Sequence, residues 1–420
     1  MSPRFPVPPP RWPAGAGFSR RRRPAARIGG AWLLGMFLWL AFPGPASAAD
    51  VDTVRVSRPG EILFSRDERR AELAAAGEAM REALCTTEVK KWRSHTALTT
   101  VEAPDEYGTD LRAEPFALTV MWAAAHGYGA GDAAAQAALV GLLDRWAKGK
   151  ALTRFNARVE SNYYTINRTL LPTIVAWGLV RDEPGLDKKR RKRIEDWLAR
   201  VVRLRGGQRA ERDERAASAR NNHLYLDASV SMAWGALQGD EALFRQGIEA
   251  YRRALADMRP DGSLPLETER GARALWYQRH AIASLVVIAE MAAVQGYDLY
   301  GLDVGEGRSL HRALRFLLDA VADQRLVWPY AEANVNPGPS RNYFTQDLGF
   351  LTRRGHGRHY MAWAEPYLRR FPERPEARDL LALLDRAQPD FRPMVDEYSG
   401  GNTSCFFARA APRAERESAS

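Results

Sequence analysis

The 420-residue chain contains only two cysteines, Cys85 and Cys405. Two cysteines are too few for a disulfide-dense scaffold. The sequence also lacks the paired-cysteine and His-Glu-x-x-His spacings of zinc sites. The seven histidines are scattered, and the nearest pair, His356 and His359, has no acidic neighbour in the sequence. We therefore predict no metal and no cofactor. The two cysteines form one disulfide or remain two buried thiols, and the sequence leaves both alternatives open.

Long apolar runs are also missing, apart from one at residues 31–42. That run, of about twelve residues, is too short to span a bilayer, which takes about 20. Arginines at 20–23 precede it and Ala46-Ser47-Ala48 follows it, which is the order of a secretory signal peptide. We predict a signal peptide at 1–48 and a single mature domain at 49–420, periplasmic or secreted and free of the membrane. An uncleaved anchor is the alternative.

The excess of positive charge is confined largely to this leader. The whole chain has a net charge of +10, but its first 48 residues carry seven arginines and no acid, which leaves 54 basic and 51 acidic residues, or +3. We therefore predict that the protein does not bind nucleic acid. We also expect it to be a monomer. Six consecutive basic residues, Lys188 to Arg193, form either a solvated helix face or a guide for a polyanion.

Strict alternation of polar and apolar residues is nearly absent, and apolar residues recur at spacings of three and four. This pattern predicts an all-α chain in which Asp132 and Asp240 cap helices. The run Gly127 to Gly131 is interpreted as a turn between helices, because no strand precedes it. Helices are predicted at about 67–85, 115–125, 132–148, 164–180, 188–204, 222–237, 240–256, 269–295, 309–322, 348–370 and 375–384.

Short connections between these helices favour antiparallel helical hairpins wound into an (α/α) toroid. An open solenoid would give a similar pattern, but no repeat of fixed period is present. The longest stretches without a predicted element are 91–114, 205–220 and 327–345. Such loops commonly act as lids or binding loops.

Asn221, Asn222 and His223 fall at a predicted helix start. Free backbone amides and the positive end of the helix dipole favour an anion there, such as a carboxylate. The alternative is that the asparagines only cap the helix while His223 packs in the core.

Arg270, Arg273 and Tyr277 have the spacing of one helical face. Arginine beside a phenol stabilises the phenolate, which helps tyrosine to act as a base. The alternative is a solvent-exposed face with a pair of arginines.

The second segment resembles the signature of the alginate lyases of polysaccharide lyase family 5. The matching residues are Gly262, Leu264, Pro265, Glu267, Arg270, Arg273, Ala274, Leu275 and Tyr277. The stretch from Asn221 to Tyr225 resembles the same family, as do the segments 363–367 and 400–402. The similarity runs from about Asp132 to Phe406.

The resemblance implies an incomplete (α/α) toroid with a deep cleft and an N-terminal lid loop. It assigns the catalytic roles to Asn222, His223, Arg270 and Tyr277: the first two neutralise a substrate carboxylate, Tyr277 transfers the proton, and Arg270 assists both. Where the family usually has a lysine on an inner helix, this chain has aromatic and basic residues instead. The predicted substrate-binding residues are Asn221, Arg273, Tyr163, Tyr164, Arg168 and Trp146.

The implied reaction is β-elimination on an anionic polysaccharide, a polyuronate. In β-mannuronate the C5 proton and O4 lie on one face, so one phenol serves as base and then acid; in α-guluronate they lie on opposite faces, which requires a separate base. We expect poly-β-D-mannuronate in alginate to be preferred, with another polyuronate such as glucuronan as the alternative substrate. An inverting glycoside hydrolase using Asp227, Glu267 or Glu269, and a non-catalytic exopolysaccharide-binding protein, are the other interpretations.

Overall fold

Helices make up most of the structure, a computed structural model that describes residues 53–88, 91–104, 110–156, 158–183, 185–210, 215–335 and 341–409. The α-helices of these residues are α1 Arg66–Ala76, α2 Glu78–Cys85, α3 Glu114–Ala125, α4 Ala133–Lys148, α5 Glu160–Val180, α6 Lys188–Ala210, α7 Asn222–Gln238, α8 Glu241–Asp257, α9 Pro265–Thr268, α10 Ala274–Val294, α11 Leu310–Ala322, α12 Trp328–Ala331, α13 Ala364–Arg370, α14 Pro375–Ala387 and α15 Thr403–Phe407. Two short antiparallel strands, β1 Val395–Asp396 and β2 Gly401–Asn402, complete the described elements. The all-α prediction is confirmed.

Consecutive long helices pack against each other, α3 with α4, α7 with α8, and α10 with α11, while α6 packs against α4. Helix α7 packs against α5 and α10, and α5 packs against α3. Helices α5, α7 and α10 are buried along almost their whole length. Their partners α8 and α11 are buried on one face only. Inner and outer helices therefore alternate along the chain, which confirms the incomplete (α/α) toroid.

Local capping residues begin two of the outer helices as predicted. The Asp132 carboxylate accepts hydrogen bonds from the amides of Ala134 and Ala135 at 2.8 and 3.0 Å. Asp240 accepts one from the amide of Leu243 at 3.0 Å. The glycine-containing run before Asp132 forms a turn of π-helix, His126–Ala130, between α3 and α4. Its interpretation as a connection between helices is confirmed.

Three predicted helices are interrupted. The first is divided at Gly77, whose φ of 84° ends α1 and begins α2. The segment predicted as helix at 269–295 begins only at Ala274, after a non-helical Arg270 and a short 3-10 turn at Gly271–Arg273. The segment predicted at 348–370 holds only the 3-10 turn Gly349–Leu351 before α13, because glycines at 355 and 357 interrupt it.

A disulfide joins the two ends of the described chain. Cys85 at the end of α2 is bonded to Cys405 in α15, and 320 residues separate them. Gly129 lies against this bond: a β-carbon there would be 2.2 Å from the Cys405 Sγ and 2.3 Å from the Cys85 Sγ. Of the two alternatives for the cysteines, the structure shows the disulfide. At position 129 only glycine leaves room for this bond.

No helix in the described ranges combines the length and apolar character needed to cross a bilayer. The predicted signal peptide and its cleavage site lie outside those ranges, so both stay predictions.

Candidate active site

The first wall of the site is the beginning of α7. The Asn221 side chain caps this helix by accepting a hydrogen bond from the His223 amide at 3.0 Å. Asn222 is turned inwards, and its backbone N and Nδ2 donate to the two oxygens of Glu267 at 2.6 and 2.8 Å. The two asparagines therefore differ: Asn221 caps the helix, while Asn222 is positioned by a second segment.

Glu267 lies in α9 and is 1% exposed. Burial raises the pKa of its carboxyl to about 7, although the hydrogen bonds from Asn222 and the charge of Arg270 oppose this shift. The carboxylate form can accept both hydrogens from Asn222, whereas the protonated form gives up an acceptor. The orientation of the Asn222 amide therefore depends on the ionisation of Glu267.

His223 is held from two sides. Its Nδ1 lies 2.6 Å from a Glu160 carboxylate oxygen, and its ring stacks on Tyr164 with centroids 4.4 Å apart. A carboxylate only accepts hydrogen bonds, so Nδ1 carries the hydrogen and Nε2 is the nitrogen available to a ligand. Both supporting residues come from the first two turns of α5.

Arg270 and Tyr277 meet across the break before α10. The Arg270 guanidinium carbon lies 3.8 Å from the centroid of the Tyr277 ring, so the cation covers the face of the phenol. The prediction of one shared helical face is wrong, because Arg270 precedes the helix and folds back onto it. Arg273 points elsewhere, towards Trp276 and towards Asp347 at 3.8 Å.

A row of aromatic rings connects the two walls. Tyr164, stacked on His223, is 6.1 Å from Tyr398, which stacks on His280 at 4.6 Å, and His280 is 5.7 Å from Tyr277. Centroids at these spacings are in contact. The structure therefore brings Asn222, His223, Arg270 and Tyr277, which lie in two sequence segments, into one cluster.

Cations surround this row. Arg168 donates from Nε to Glu397 at 2.7 Å and lies 5.6 Å from both the Tyr164 and the Tyr398 rings. Burial lowers the pKa of His280 well below its usual value, and the charge of Arg279 lowers it further. His280 is therefore a neutral ring among positive charges, an environment that suits an anionic ligand.

Arg279 and Arg358 carry the positive charge deeper into the molecule. Arg358 pairs with the carboxylate of Glu397, and Arg279 is fully buried. Burial raises the pKa of Asp396 to about 6, although Arg358 and Arg279 oppose the shift. Arg358 also pairs with Glu114 at 3.0 Å, so arginines and acidic residues lie together beneath the site.

Two predicted substrate-binding residues lie in the interior instead. Trp146 is fully buried, stacks on Phe116 with centroids 3.3 Å apart, and donates from Nε1 to the His95 carbonyl. The Tyr163 hydroxyl donates to Asp227, which is paired with the buried Arg205. Neither ring is accessible to a ligand at the cluster, because each lies on a face of its helix that packs in the core. Tyr164 and Arg168 do lie in the cluster.

The carboxylates that a glycoside hydrolase would need are engaged in other contacts. Glu267 holds Asn222, Asp227 is buried against Arg205, and Glu269 is 2.6 Å from Arg259. None of the three is presented as a member of an opposed acid pair, which disfavours the hydrolase interpretation.

Sequence reasoning missed Glu160, Tyr398 and the role of His280. Glu160 lies before the predicted start of α5, and the helix begins without a side-chain cap to mark it. Tyr398 follows β1 in a turn that has no periodic signal. The Glu267 contact had a sequence signal, since the residue is part of the matched motif.

The fold and the cluster together define a helical toroid whose inner helices carry a site suited to a carboxylate. The chain belongs to the alginate lyase family, whose model matches residues 88–327. It is 31% identical over 193 residues to a polysaccharide lyase of Stenotrophomonas maltophilia, which covers 46% of this chain and 56% of that protein. An alginate lyase of Azotobacter chroococcum is 29% identical over 249 residues, 58% of this chain and 61% of that protein. The matches thus span little more than half of these two relatives.

Solved structures show the same fold. Alginate lyase A1-III from Sphingomonas species A1 superposes with a TM-score of 0.67 at 23% identity, covering 86% of this chain and 99% of that chain. A variant of alginate lyase A1-III complexed with a tetrasaccharide gives a TM-score of 0.70 at 23% identity, covering 87% of this chain and 100% of that chain.

Proposed function

We propose that the chain is an exported polysaccharide lyase that cleaves a polyuronate by β-elimination, leaving 4,5-unsaturated uronate ends. The preferred substrate is poly-β-D-mannuronate in alginate. The observation that carries the proposal is the convergence of Asn222, His223, Arg270 and Tyr277 around one row of rings. Family membership supports it independently.

The carboxylate of the substrate takes up the charge that forms when the C5 proton leaves. Asn222 offers the second hydrogen of its amide and Arg270 its guanidinium, and His223 offers an Nε2–H when the ring is doubly protonated, with Nδ1–H donated to Glu160. Loss of one such donor typically costs about 10² to 10³ in rate, because charge stabilisation is usually the largest contribution to catalysis. Glu267 and Glu160 act through Asn222 and His223 and are positioning residues.

Tyr277 transfers the proton. Its phenolate accepts the C5 proton, the C4=C5 double bond forms as the C4–O4 bond breaks, and the phenol returns its proton to O4. One group suffices because both positions lie on the same face of mannuronate. The contact of His223 Nδ1 with Glu160 orients the imidazole and is compatible with either role, so the assignment of His223 to the carboxylate follows the family resemblance. Mannuronate is the proposed preference because one phenol, Tyr277, is sufficient for it, whereas guluronate needs a separate base.

Export is supported by the leader sequence and by the disulfide. Bonds such as that between Cys85 and Cys405 persist mainly in oxidising compartments. A periplasmic or secreted location agrees with both features.

One assay on four polymers tests the proposal. The mature chain is incubated with polymannuronate, polyguluronate, glucuronan and mixed alginate, while ultraviolet absorbance and new reducing ends are recorded together. We expect both signals to rise in parallel and fastest on polymannuronate. Reducing ends without absorbance would indicate hydrolysis, and binding without either signal would indicate a silent glycan-binding protein. Faster cleavage of glucuronan than of polymannuronate would show that glucuronan is the preferred substrate.

A further inference from the structure

A second concave surface lies outside the cluster, between the turn that follows α4 and the outer face of α6. It has a volume of about 440 Å³, and its charged lining residues are Lys150, Lys189, Lys192, Arg193, Asp196 and Arg200. We call it the basic groove. It includes part of the basic run that the sequence left open as a solvated face or a polyanion guide.

Three cations of the basic groove are available to a ligand. Lys192 pairs with Asp196 at 2.8 Å, and Arg193 donates to the buried Asp144 at 2.6 Å. Lys150, Lys189 and Arg200 are exposed and form no ion pair with any described residue. Unpaired cations that converge on one concavity concentrate anions there, since their fields add.

A larger cavity, of about 850 Å³, differs in this respect. It lies beside α1 and the C-terminal segment, and its five arginines share their lining with three glutamates, whereas the basic groove has five cations and one acid. Arg69 and Arg369 both pair with Glu72, and Arg370 pairs with Glu290. The basic groove is therefore distinguished from the larger cavity by its unpaired positive charge and not by its volume.

The floor of the basic groove is rigid. Trp197 is 4% exposed and donates from Nε1 to the Ala151 carbonyl at 2.8 Å. Lys150 and Leu152 both have positive φ, 50° and 57°, which is unfavourable for residues with a β-carbon. The Leu152 amide bonds to Leu98 O at 2.8 Å and helps hold this turn. Lys150 is thus fixed at the rim by its surroundings.

The basic groove and the cluster contain residues that are close in sequence. Thr153 lines it, and Glu160, the partner of His223, follows seven residues later. Seven residues reach at most about 25 Å when fully extended. One polymer chain of modest length is therefore long enough to contact both places.

We propose that the basic groove is a second binding surface for an acidic polysaccharide, outside the reacting site, that retains the polymer while a neighbouring stretch is cleaved. The inference rests on the proposed function for its choice of ligand. Trp197 is too buried to stack on nucleic acid bases. None of the large exposed apolar side chains, such as Phe344 and Leu381, lines the groove, so it lacks the means to insert into a membrane.

The test compares two variants of equal charge loss in the mature chain. The groove variant is Lys150→Gln, Lys189→Gln and Arg200→Gln, and the control variant is Arg325→Gln, Arg378→Gln and Arg386→Gln, all exposed and outside the groove. At 50 mM salt we expect the groove variant to raise KM for long polymannuronate by about tenfold, as for three solvent-screened contacts. The kcat on a mannuronate tetrasaccharide stays within about twofold, and about 0.5 M salt abolishes the difference.

Retardation in native gels containing polymannuronate measures binding without turnover when Tyr277→Phe is added to each chain. We expect the wild-type and control chains on this background to be retarded strongly and the groove variant distinctly less, because only the cluster then binds the polymer. Equal behaviour of the two variants overturns the inference, as does retardation by DNA or anionic vesicles in place of the polysaccharide. If the groove variant is retarded less than the control but the wild-type chain cleaves no polymer, the proposed function alone is refuted. If the wild-type chain cleaves the polymer but both variants are retarded equally, the inference alone is refuted.

Discussion

Each of the four motif residues has a neighbour that orients it. Asn222 is held by Glu267, His223 by Glu160 and Tyr164, and the ring of Tyr277 by Arg270. Preorganised groups stabilise a transition state without further rearrangement. The four residues that we propose for the reaction are thus held in place by their neighbours.

Glu267→Gln tests whether ionisation of Glu267 controls the Asn222 amide. The pKa of Glu267 is raised to about 7, so its two-acceptor form is lost as the pH falls through that value. We expect the kcat of the wild type on polymannuronate to fall below about pH 7. The glutamine variant has only one acceptor oxygen, so at pH 8 it should be slower by about tenfold, the effect of one weakened hydrogen bond to a charged group.

The control for this prediction is Glu269→Gln, two residues away and paired with Arg259 instead. It should keep the fall in activity near pH 7, whereas Glu267→Gln should lack it. A Glu267→Gln profile that retains the same fall would show that another group titrates.

At this scale the sequence predicts which residues come together but not all of their neighbours. Order and spacing were sufficient to select Asn222, His223, Arg270 and Tyr277, which the structure brings into one cluster. Trp146 and Tyr163 were misassigned, because the sequence of a fully buried helix does not reveal which face turns to the core and which to the site. Tyr398 and His280 contribute through packing between distant segments, which periodicity does not reveal.

The elements that deliver the site are the beginnings of inner helices. Helix α7 presents Asn222 and His223, the break before α10 presents Arg270, and the first turns of α5 present Glu160, Tyr164 and Arg168. The three α5 residues are spaced by four, so they share one face of that helix.

Glu160→Gln tests the contribution of the α5 start. Its carboxylate fixes which nitrogen of His223 carries hydrogen, and an amide can impose either arrangement. We expect kcat on polymannuronate to fall by about three- to tenfold, with little change in KM, because one partly exposed charged hydrogen bond is lost. Steady-state rates measured by ultraviolet absorbance provide the check.

Glu241→Gln is the matched control, since it also removes a carboxylate from an ion pair, that with Arg55 on the surface. It should leave both constants unchanged. Equal rates for Glu160→Gln and wild type would mean that Tyr164 alone positions His223.

Element boundaries were predictable where a cap marks them and not elsewhere. Asp132 and Asp240 marked α4 and α8, but α5 begins after Val159 with no side-chain cap and was placed four residues too late. The break at Arg270 has no proline to signal it, and it depends on contacts such as the Glu269 carbonyl with the amide of Val335.

At the scale of the whole molecule, the disulfide joins an early and a late segment of the described residues. Cys85 and Cys405 connect α2 to α15, and the Arg69 guanidinium donates to the Cys405 carbonyl at 2.9 and 3.0 Å. The toroid could be predicted from helix pairing, whereas this closure could not, because two cysteines alone do not show whether they meet.

Replacing both cysteines by serine tests how much the disulfide stabilises the fold. We expect the free energy of unfolding to fall by about 2–5 kcal/mol, because the bond restricts the unfolded chain. Thermal unfolding with and without a reductant provides the measurement. Reductant should lower the Tm of the wild type and leave the double variant unaffected; an equal Tm for both proteins would contradict this account.

The central claim is that Tyr277 transfers the proton in an elimination reaction. Tyr277→Phe keeps the ring on which Arg270 stacks and removes only the hydroxyl. General acid and base groups contribute about 10² to 10⁴ in rate. The most direct test is therefore the kcat of Tyr277→Phe on polymannuronate, followed by the ultraviolet absorbance of the unsaturated product. We predict a loss of at least about 10² with the Tm unchanged, and a variant that kept more than about a tenth of wild-type kcat would contradict the account.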